Sequence, residues 1–168
     1  NGDRIRVCHA DSPAELNWAE MGVDLVLECS GQIRTRDDAE LHLKSGAKKV
    51  LISNPADSAV DKTIIFGHND DTLTPSDLIV SNGSCSTNAL IPVLTLIDKA
   101  CGIEAGVTTT IHSAMNDQPV IDAYHSDLRR TRSSVQSIIP VDTGLPAGIE
   151  RLMPKLAGKI ECLHIRVP

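Results

Sequence analysis

Val23-Asp24-Leu25-Val26-Leu27-Glu28-Cys29 and Lys49-Val50-Leu51-Ile52-Ser53 are two short, largely apolar runs rich in β-branched and aliphatic residues. That is the character of strands covered on both faces in a parallel sheet. Between them Thr35 is a helix cap with Asp38 at the third helical position, opening a helix that runs to about Lys44 and stops at Gly46. Strand, helix, strand with short connections is the mark of right-handed βαβ winding, and predicts a doubly wound α/β sheet.

Working outward, Ile5-Arg6-Val7-Cys8 reads as a strand, and Ser12-Pro13-Ala14-Glu15 reads as a capping box that starts a helix through Glu20, with Gly22 as its stop. Downstream, 63–66 and 78–81 read as further strands. A helix is predicted over 88–101, with Pro92 in its first turn and Gly102 after its end. The β-branched run at 107–111 predicts a strand, 147–152 a short helix and 160–167 a closing strand. From 113 to 136 no period is sustained; a polar segment of that length is usually functional or disordered.

Composition narrows the function classes. The 168 residues carry 16 Lys+Arg against 22 Asp+Glu, a net charge of −6, which argues against capture of nucleic acid or an anionic membrane. Aromatic residues make up 2% (Trp18, Phe66, Tyr124), too few for base-stacking platforms or interface belts. No apolar run approaches the roughly 18 residues that span a bilayer, and Asn1-Gly2-Asp3-Arg4 resembles no signal or transit peptide. Five cysteines without CxxC or HxxxH spacing point to a reducing, cytoplasmic setting and to no metal site. With no initiator Met and an ending inside a strand, both ends read as cut.

Chemistry concentrates at Cys85, in Ser81-Asn82-Gly83-Ser84-Cys85-Ser86-Thr87-Asn88, between a buried strand and a helix start. A thiol there sits at the positive end of a helix dipole, which favours the nucleophilic thiolate. His112 ends the next strand, so in parallel winding both residues emerge at the same carboxyl edge as a Cys-His pair. An inert buried cysteine and a structural histidine are the competing readings.

Ser-Asn-Gly-Ser-Cys-Ser-Thr-Asn (81–88), Thr-Thr-Ile-His-Ser (109–113), Asn-Asp-Gln (116–118), Asp-Leu-Arg-Arg-Thr-Arg (127–132), Ile-Ile-Pro (138–140), Asp-Thr-Gly (142–144) and Arg-Val-Pro (166–168) together resemble the glyceraldehyde-3-phosphate dehydrogenase family, in order and in spacing. The resemblance covers essentially the whole chain. It implies the later part of a Rossmann-type NAD-binding domain over 1–84 and the first part of an α+β catalytic domain over 85–168. Cys85 is then the nucleophile toward an aldehyde, His112 its base, and NAD the hydride acceptor. Ser84, Ser86, Arg129, Thr143, Gly144 and Arg166 match the anion sites for phosphate. Ser30, Gly31, Ser53 and Asn116 match cofactor contacts. The segment containing Arg129 implies a subunit interface, and hence a homotetramer acting on a small phosphorylated aldose. The fragment alone is expected to be inactive.

Departures refine the substrate. Glycolytic members carry Thr three residues after the catalytic His, where this chain has Met115, whose thioether cannot donate a hydrogen bond to phosphate. His-Ser-Ala-Met-Asn-Asp-Gln (112–118), Asp122-Ala123-Tyr124-His125 and Ile-Ile-Pro-Val-Asp-Thr (138–143) are instead similar to the erythrose-4-phosphate dehydrogenase branch, which implies oxidation to 4-phosphoerythronate on the route to pyridoxal phosphate. Glyceraldehyde 3-phosphate oxidation is the alternative. A cysteine hydrolase and a non-catalytic binding fragment are the alternatives of another class.

Overall fold

A computed structural model describes residues 2–116 and 118–168; Asp117, within one of the motifs above, lies outside the described residues. Contacts divide the chain into two compact units, Asn1–Ser84 and Cys85–Pro168.

In the first unit, β1 (Leu25–Glu28), β2 (Lys49–Ile52), β3 (Lys62–Thr63) and β4 (Ile79–Ser81) form a sheet in the order β1-β2-β4-β3. Every pairing is parallel, as the βαβ reading requires. Helix α1 (Arg36–Lys44) starts where the sequence places it. The Thr35 hydroxyl accepts from the Asp38 N–H at 3.2 Å and donates to the Asp38 carboxylate at 2.6 Å. Ala39, Val50, Ile52, Val60 and Ile79 form the buried core, with Ile33, Leu43 and Ala56 packed on it. One face of β1 is uncovered: Leu25 is 50% and Leu27 59% exposed, while Val26 and Glu28 point inward.

The two upstream expectations are corrected. Residues 5–8 pair with no strand among the described residues, and Ile5 and Val7 are 86% and 73% exposed. Apolar composition makes a strand possible, but pairing makes one. Ser12 does cap, its hydroxyl accepting from the Ala14 N–H at 3.2 Å, yet only a single 3-10 turn forms at Pro13–Glu15. The turn ends at Leu16, whose backbone is extended (φ −87°, ψ 139°), and Asn17 opens a separate turn by accepting the Glu20 N–H on its side chain at 3.3 Å.

In the second unit, α2 (Cys85–Cys101) leads into β5 (Gly106–Ser113), followed by β6 (Ile139–Pro140), α3 (Leu145–Leu152) and β7 (Ile160–Val167). The sheet order is β5-β7-β6. β5 and β7 are parallel in continuous register from Gly106↔Ile160 to Ser113↔Val167, and β6 is antiparallel to β7. Helix α2 begins earlier than expected, so Pro92 lies inside it rather than in its first turn. Helices α2 and α3 pack together. Their approach is set by Gly148, where a Cβ would stand 2.6 Å from the Thr87 γ-methyl. Ile91, Leu94, Leu145, Ile149, Met153, Leu156 and Ile160 are buried in this unit.

Within the aperiodic segment, the stretch from Pro119 to Ser134 folds back on itself. The Ala123 N–H donates to the Thr131 carbonyl (3.0 Å), the Ser134 N–H to the Pro119 carbonyl (2.9 Å), and the Ser133 hydroxyl to the Val120 carbonyl (2.7 Å). A 3-10 turn at Leu128–Thr131 lies within it, capped by Asp127.

Candidate active site

The chain leaves β4 through Asn82-Gly83-Ser84. Gly83 has φ +68°, a left-handed conformation open to glycine and costly for alanine, and its N–H donates to the Ser81 hydroxyl at 3.0 Å. Cys85 is the first residue of α2 and is exposed. Its Sγ lies 3.5 Å from Nε2 of His112, the seventh residue of β5. His112 Nδ1 is 2.7 Å from the Ser113 carbonyl oxygen. A carbonyl can only accept, so Nδ1 carries the ring proton and Nε2 presents its lone pair to the sulfur. That tautomer makes His112 a base toward the thiol.

The route to this pairing differs from the sequence argument. β4 belongs to the four-stranded sheet and β5 to the three-stranded one, so Cys85 and His112 do not share a sheet edge. Matching lengths bring them together. The 17 residues of α2 rise about 26 Å at 1.5 Å each, and the eight of β5 about 26 Å at 3.3 Å each. A helix and returning strand of equal length bring the strand's end back to the helix's start.

The imidazole of His164 stacks on His112, with ring centroids 5.7 Å apart and planes inclined by 23°. Arg166 is the register partner of His112 across the parallel pair; it is 9% exposed, and its Nε and Nη1 are buried with no hydrogen-bond partner among the described residues. Of the expected anion-binding groups, Arg166 is therefore beside His112 with donor capacity in hand. The Ser86 hydroxyl is 4.0 Å from Cys85 Sγ. Ser84 immediately precedes Cys85. The Thr143 hydroxyl accepts the Leu145 N–H at 3.2 Å, and Gly144 is the cap position of α3.

Arg129 is placed differently from expectation. Its guanidinium is engaged by two carboxylates, Asp142 (2.7 and 3.2 Å) and Asp127 (3.0 and 3.1 Å). Asp142 first and Asp127 second hold the guanidinium above its ordinary range, and Arg129 in turn holds both carboxyls below theirs. A fork already neutralised by two carboxylates has little left for a phosphate. Asn116 lies in an exposed turn after β5.

In the first unit, Ser30 and Gly31 follow the carboxyl end of β1, and Ser53 follows that of β2. The Glu28 carboxylate accepts the Ser30 N–H at 2.7 Å and bonds His42 Nε2 at 3.1 Å, and the Trp18 indole N–H donates to His42 Nδ1 at 3.1 Å. Burial pushes the Glu28 carboxyl up, but the bonds from Ser30 and His42 outweigh it and hold it below its ordinary value. Gly31 has φ +74° with no atom within 4 Å of where a Cβ would be. Turns outside the carboxyl ends of parallel strands, one bare of side chain, fit a dinucleotide.

Sequence reasoning missed His164 and the Trp18-His42-Glu28 chain. Alternation along 160–167 puts His164 on the face of Arg166, which is the signal that was there to read. Among the described residues, no grouping of His, Cys, Asp or Glu could hold a metal ion, and no helix is long and apolar enough to cross a membrane.

A helix-start thiol in contact with the free ring nitrogen of an imidazole is the arrangement of enzymes that work by thiol addition. Comparison with known families places residues 84–168 in the glyceraldehyde 3-phosphate dehydrogenase, C-terminal domain. The chain belongs to the glyceraldehyde 3-phosphate dehydrogenase family, which comprises NAD-using aldehyde dehydrogenases.

Proposed function

We propose that the protein oxidises a phosphorylated aldose, erythrose 4-phosphate, to its acid with NAD, through a thioester on Cys85. The observation that carries this reading is the 3.5 Å contact of Cys85 Sγ with Nε2 of His112, whose other ring nitrogen faces the Ser113 carbonyl. His112 takes the thiol proton as sulfur forms its bond to the aldehyde carbon and the carbonyl π bond breaks. It returns that proton to the new oxygen, giving a thiohemiacetal, while the Cys85 N–H at the helix start is placed to stabilise negative charge on that oxygen. The oxidation of that carbon to a thioester is the chemistry NAD supplies when bound. Within that step Nε2 accepts the hydroxyl proton. Nε2 gives that proton up to solvent and then takes one from the water whose oxygen bonds to the thioester carbon; the C–S bond breaks, Cys85 leaves as thiolate beside the protonated His112, and the acid leaves with the water's other proton. Ser30, Gly31, Ser53 and Asn116 are the residues of this chain that would hold the dinucleotide.

Met115, 46% exposed three residues after His112, supports the longer substrate over glyceraldehyde 3-phosphate, because it brings no hydroxyl to the phosphate of the shorter one. The same reading makes the working unit a cytoplasmic homotetramer on the route to pyridoxal phosphate. Steady-state kinetics of the holoenzyme on both aldehydes tests it. A higher kcat/KM is expected for erythrose 4-phosphate, and Met115→Thr should move the ratio toward the triose by about 10–150-fold, the worth of a hydrogen bond to a charged group. A preference for the triose in the unmutated enzyme would reject the erythrose assignment.

A further inference from the structure

Three basic side chains share one face of the β5–β7 pair: His112, His164 and Arg166. His164 lies two residues before Arg166 on the same strand, so both project to the same side. Both of its ring nitrogens are buried with no hydrogen-bond partner among the described residues, as are Nε and Nη1 of Arg166. Buried polar atoms ordinarily find partners, and four such donors or acceptors gathered beside His112, whose other neighbour is the Cys85 thiol, indicate a polar ligand that reaches them. The charge of Arg166 indicates its sign. His164 also lines an open cleft of about 540 Å³ with Thr143 and Asp142, the latter already held by Arg129.

We propose that His164 is a further substrate-contacting residue, whose imidazole donates a hydrogen bond to the same anionic group, a phosphate dianion, that Arg166 holds. This rests on the reading of Cys85 as the thiol that is acylated beside an anion site.

The groups facing His164 are His112 from β5, Arg166 from its own strand and Arg130 from the 3-10 turn; Cys85 of α2 lies beyond His112. Burial, then Arg166, His112 and Arg130, push the His164 imidazole below its ordinary value, so the ligand-free ring is neutral at neutral pH. A dianion reverses the sign of that surrounding charge, and the ring takes up a proton as the anion binds.

Sulfate is the probe, because it remains a dianion across the range in which histidine titrates. In the holoenzyme, the sulfate concentration that half-protects Cys85 from iodoacetate is measured against pH by peptide mass spectrometry. With His164 in place, protection should weaken as pH rises. His164→Ala should raise the half-protecting concentration about tenfold or more near pH 6. His164→Gln, which keeps a neutral donor and guards against a folding defect, should lie between and lose the share of the pH dependence that His164 contributes; what remains belongs to His112 and Cys85. Equal protection of His164→Ala and the unmutated enzyme, or a His164→Gln profile as steep as the unmutated one, overturns the proposal. So does slower alkylation of His164→Ala by uncharged iodoacetamide with sulfate protection unchanged, which would make the ring a support for His112. If neither aldehyde yields NADH while His164→Ala still loses sulfate protection, the dehydrogenase assignment fails and this inference stands.

Discussion

Replacing His112 by Asn removes the basic atom next to Cys85 while leaving a polar side chain of similar reach. The geometry sets the size of the loss. Nε2 is 3.5 Å from Sγ, within reach of a proton on sulfur, and Nδ1–H is anchored on the Ser113 carbonyl at 2.7 Å, with His164 stacked on the ring. The base is thus held in the required tautomer before substrate arrives. A positioned base contributes about 10²–10⁴-fold, equivalent to about 2.7–5.4 kcal/mol at 1.36 kcal/mol per decade. Preorganisation of this kind places His112→Asn at a loss of about 10³-fold or more. Single-turnover NADH formation in the holoenzyme at neutral pH reads the chemical step. Alkylation of Cys85 by iodoacetamide reads the thiol alone. Free thiols ionise near pH 8.5, so solvent does the work of the missing base above that value and the alkylation deficit should close as pH rises. A loss smaller than tenfold, or an alkylation deficit that stays constant through pH 9.5, would refute the assignment of His112 as the base and leave it a structural residue.

Two further expectations concern the framework. Asp77 accepts from Lys62 Nζ (2.9 Å) and from the N–H and hydroxyl of Thr74 (2.7 and 2.9 Å), and Lys62 foremost holds its carboxyl down at about 2 against an ordinary 3.8. A depressed folded-state value stabilises above the unfolded one and is lost as pH falls through the folded one. The Tm gap between the native protein and Asp77→Asn should therefore be constant above about pH 4 and close between 3.8 and about 2; a gap that persists at lower pH would contradict this. Gly148→Val puts a Cβ 2.6 Å from the Thr87 γ-methyl, where carbons prefer about 3.5–4.0 Å, so α2 and α3 must part by about 1 Å. Overpacking of this kind costs about 1–3 kcal/mol, and because Thr87 is two residues from the nucleophile, Cys85 alkylation should slow along with the fall in Tm; an unchanged Tm would show that the helices are not in tight contact.

The parallel sheet of the first unit and the candidate pair Cys85 and His112 were readable from the chain because their causes are local. Thr35 and Asp38 start α1 through bonds three residues apart, and the apolar run at β2 puts Val50 and Ile52 into the core. Cys85 and His112 stood out by residue type beside a strand-to-helix turn and a strand end, and the motifs around them are those of the family. Competition and register were not readable. Nothing within residues 5–8 says whether a partner strand lies alongside, and nothing in Pro13–Glu15 says that the backbone turns extended at Leu16. Likewise a single arginine cannot show whether a carboxylate far along the chain will reach it before a phosphate does, as Asp142 reaches Arg129. Nor does sequence spacing place two imidazoles in a stack. His112 and His164 meet because β5 and β7 pair in parallel, Thr110 opposite His164 and His112 opposite Arg166. The amino-acid sequence alone determines which groups can do chemistry, since a side chain's donors, acceptors and charge travel with it. Which of them do it together is decided by packing over long separations, where the helix and strand lengths and the sheet register bring Cys85, His112, His164 and Arg166 to one place.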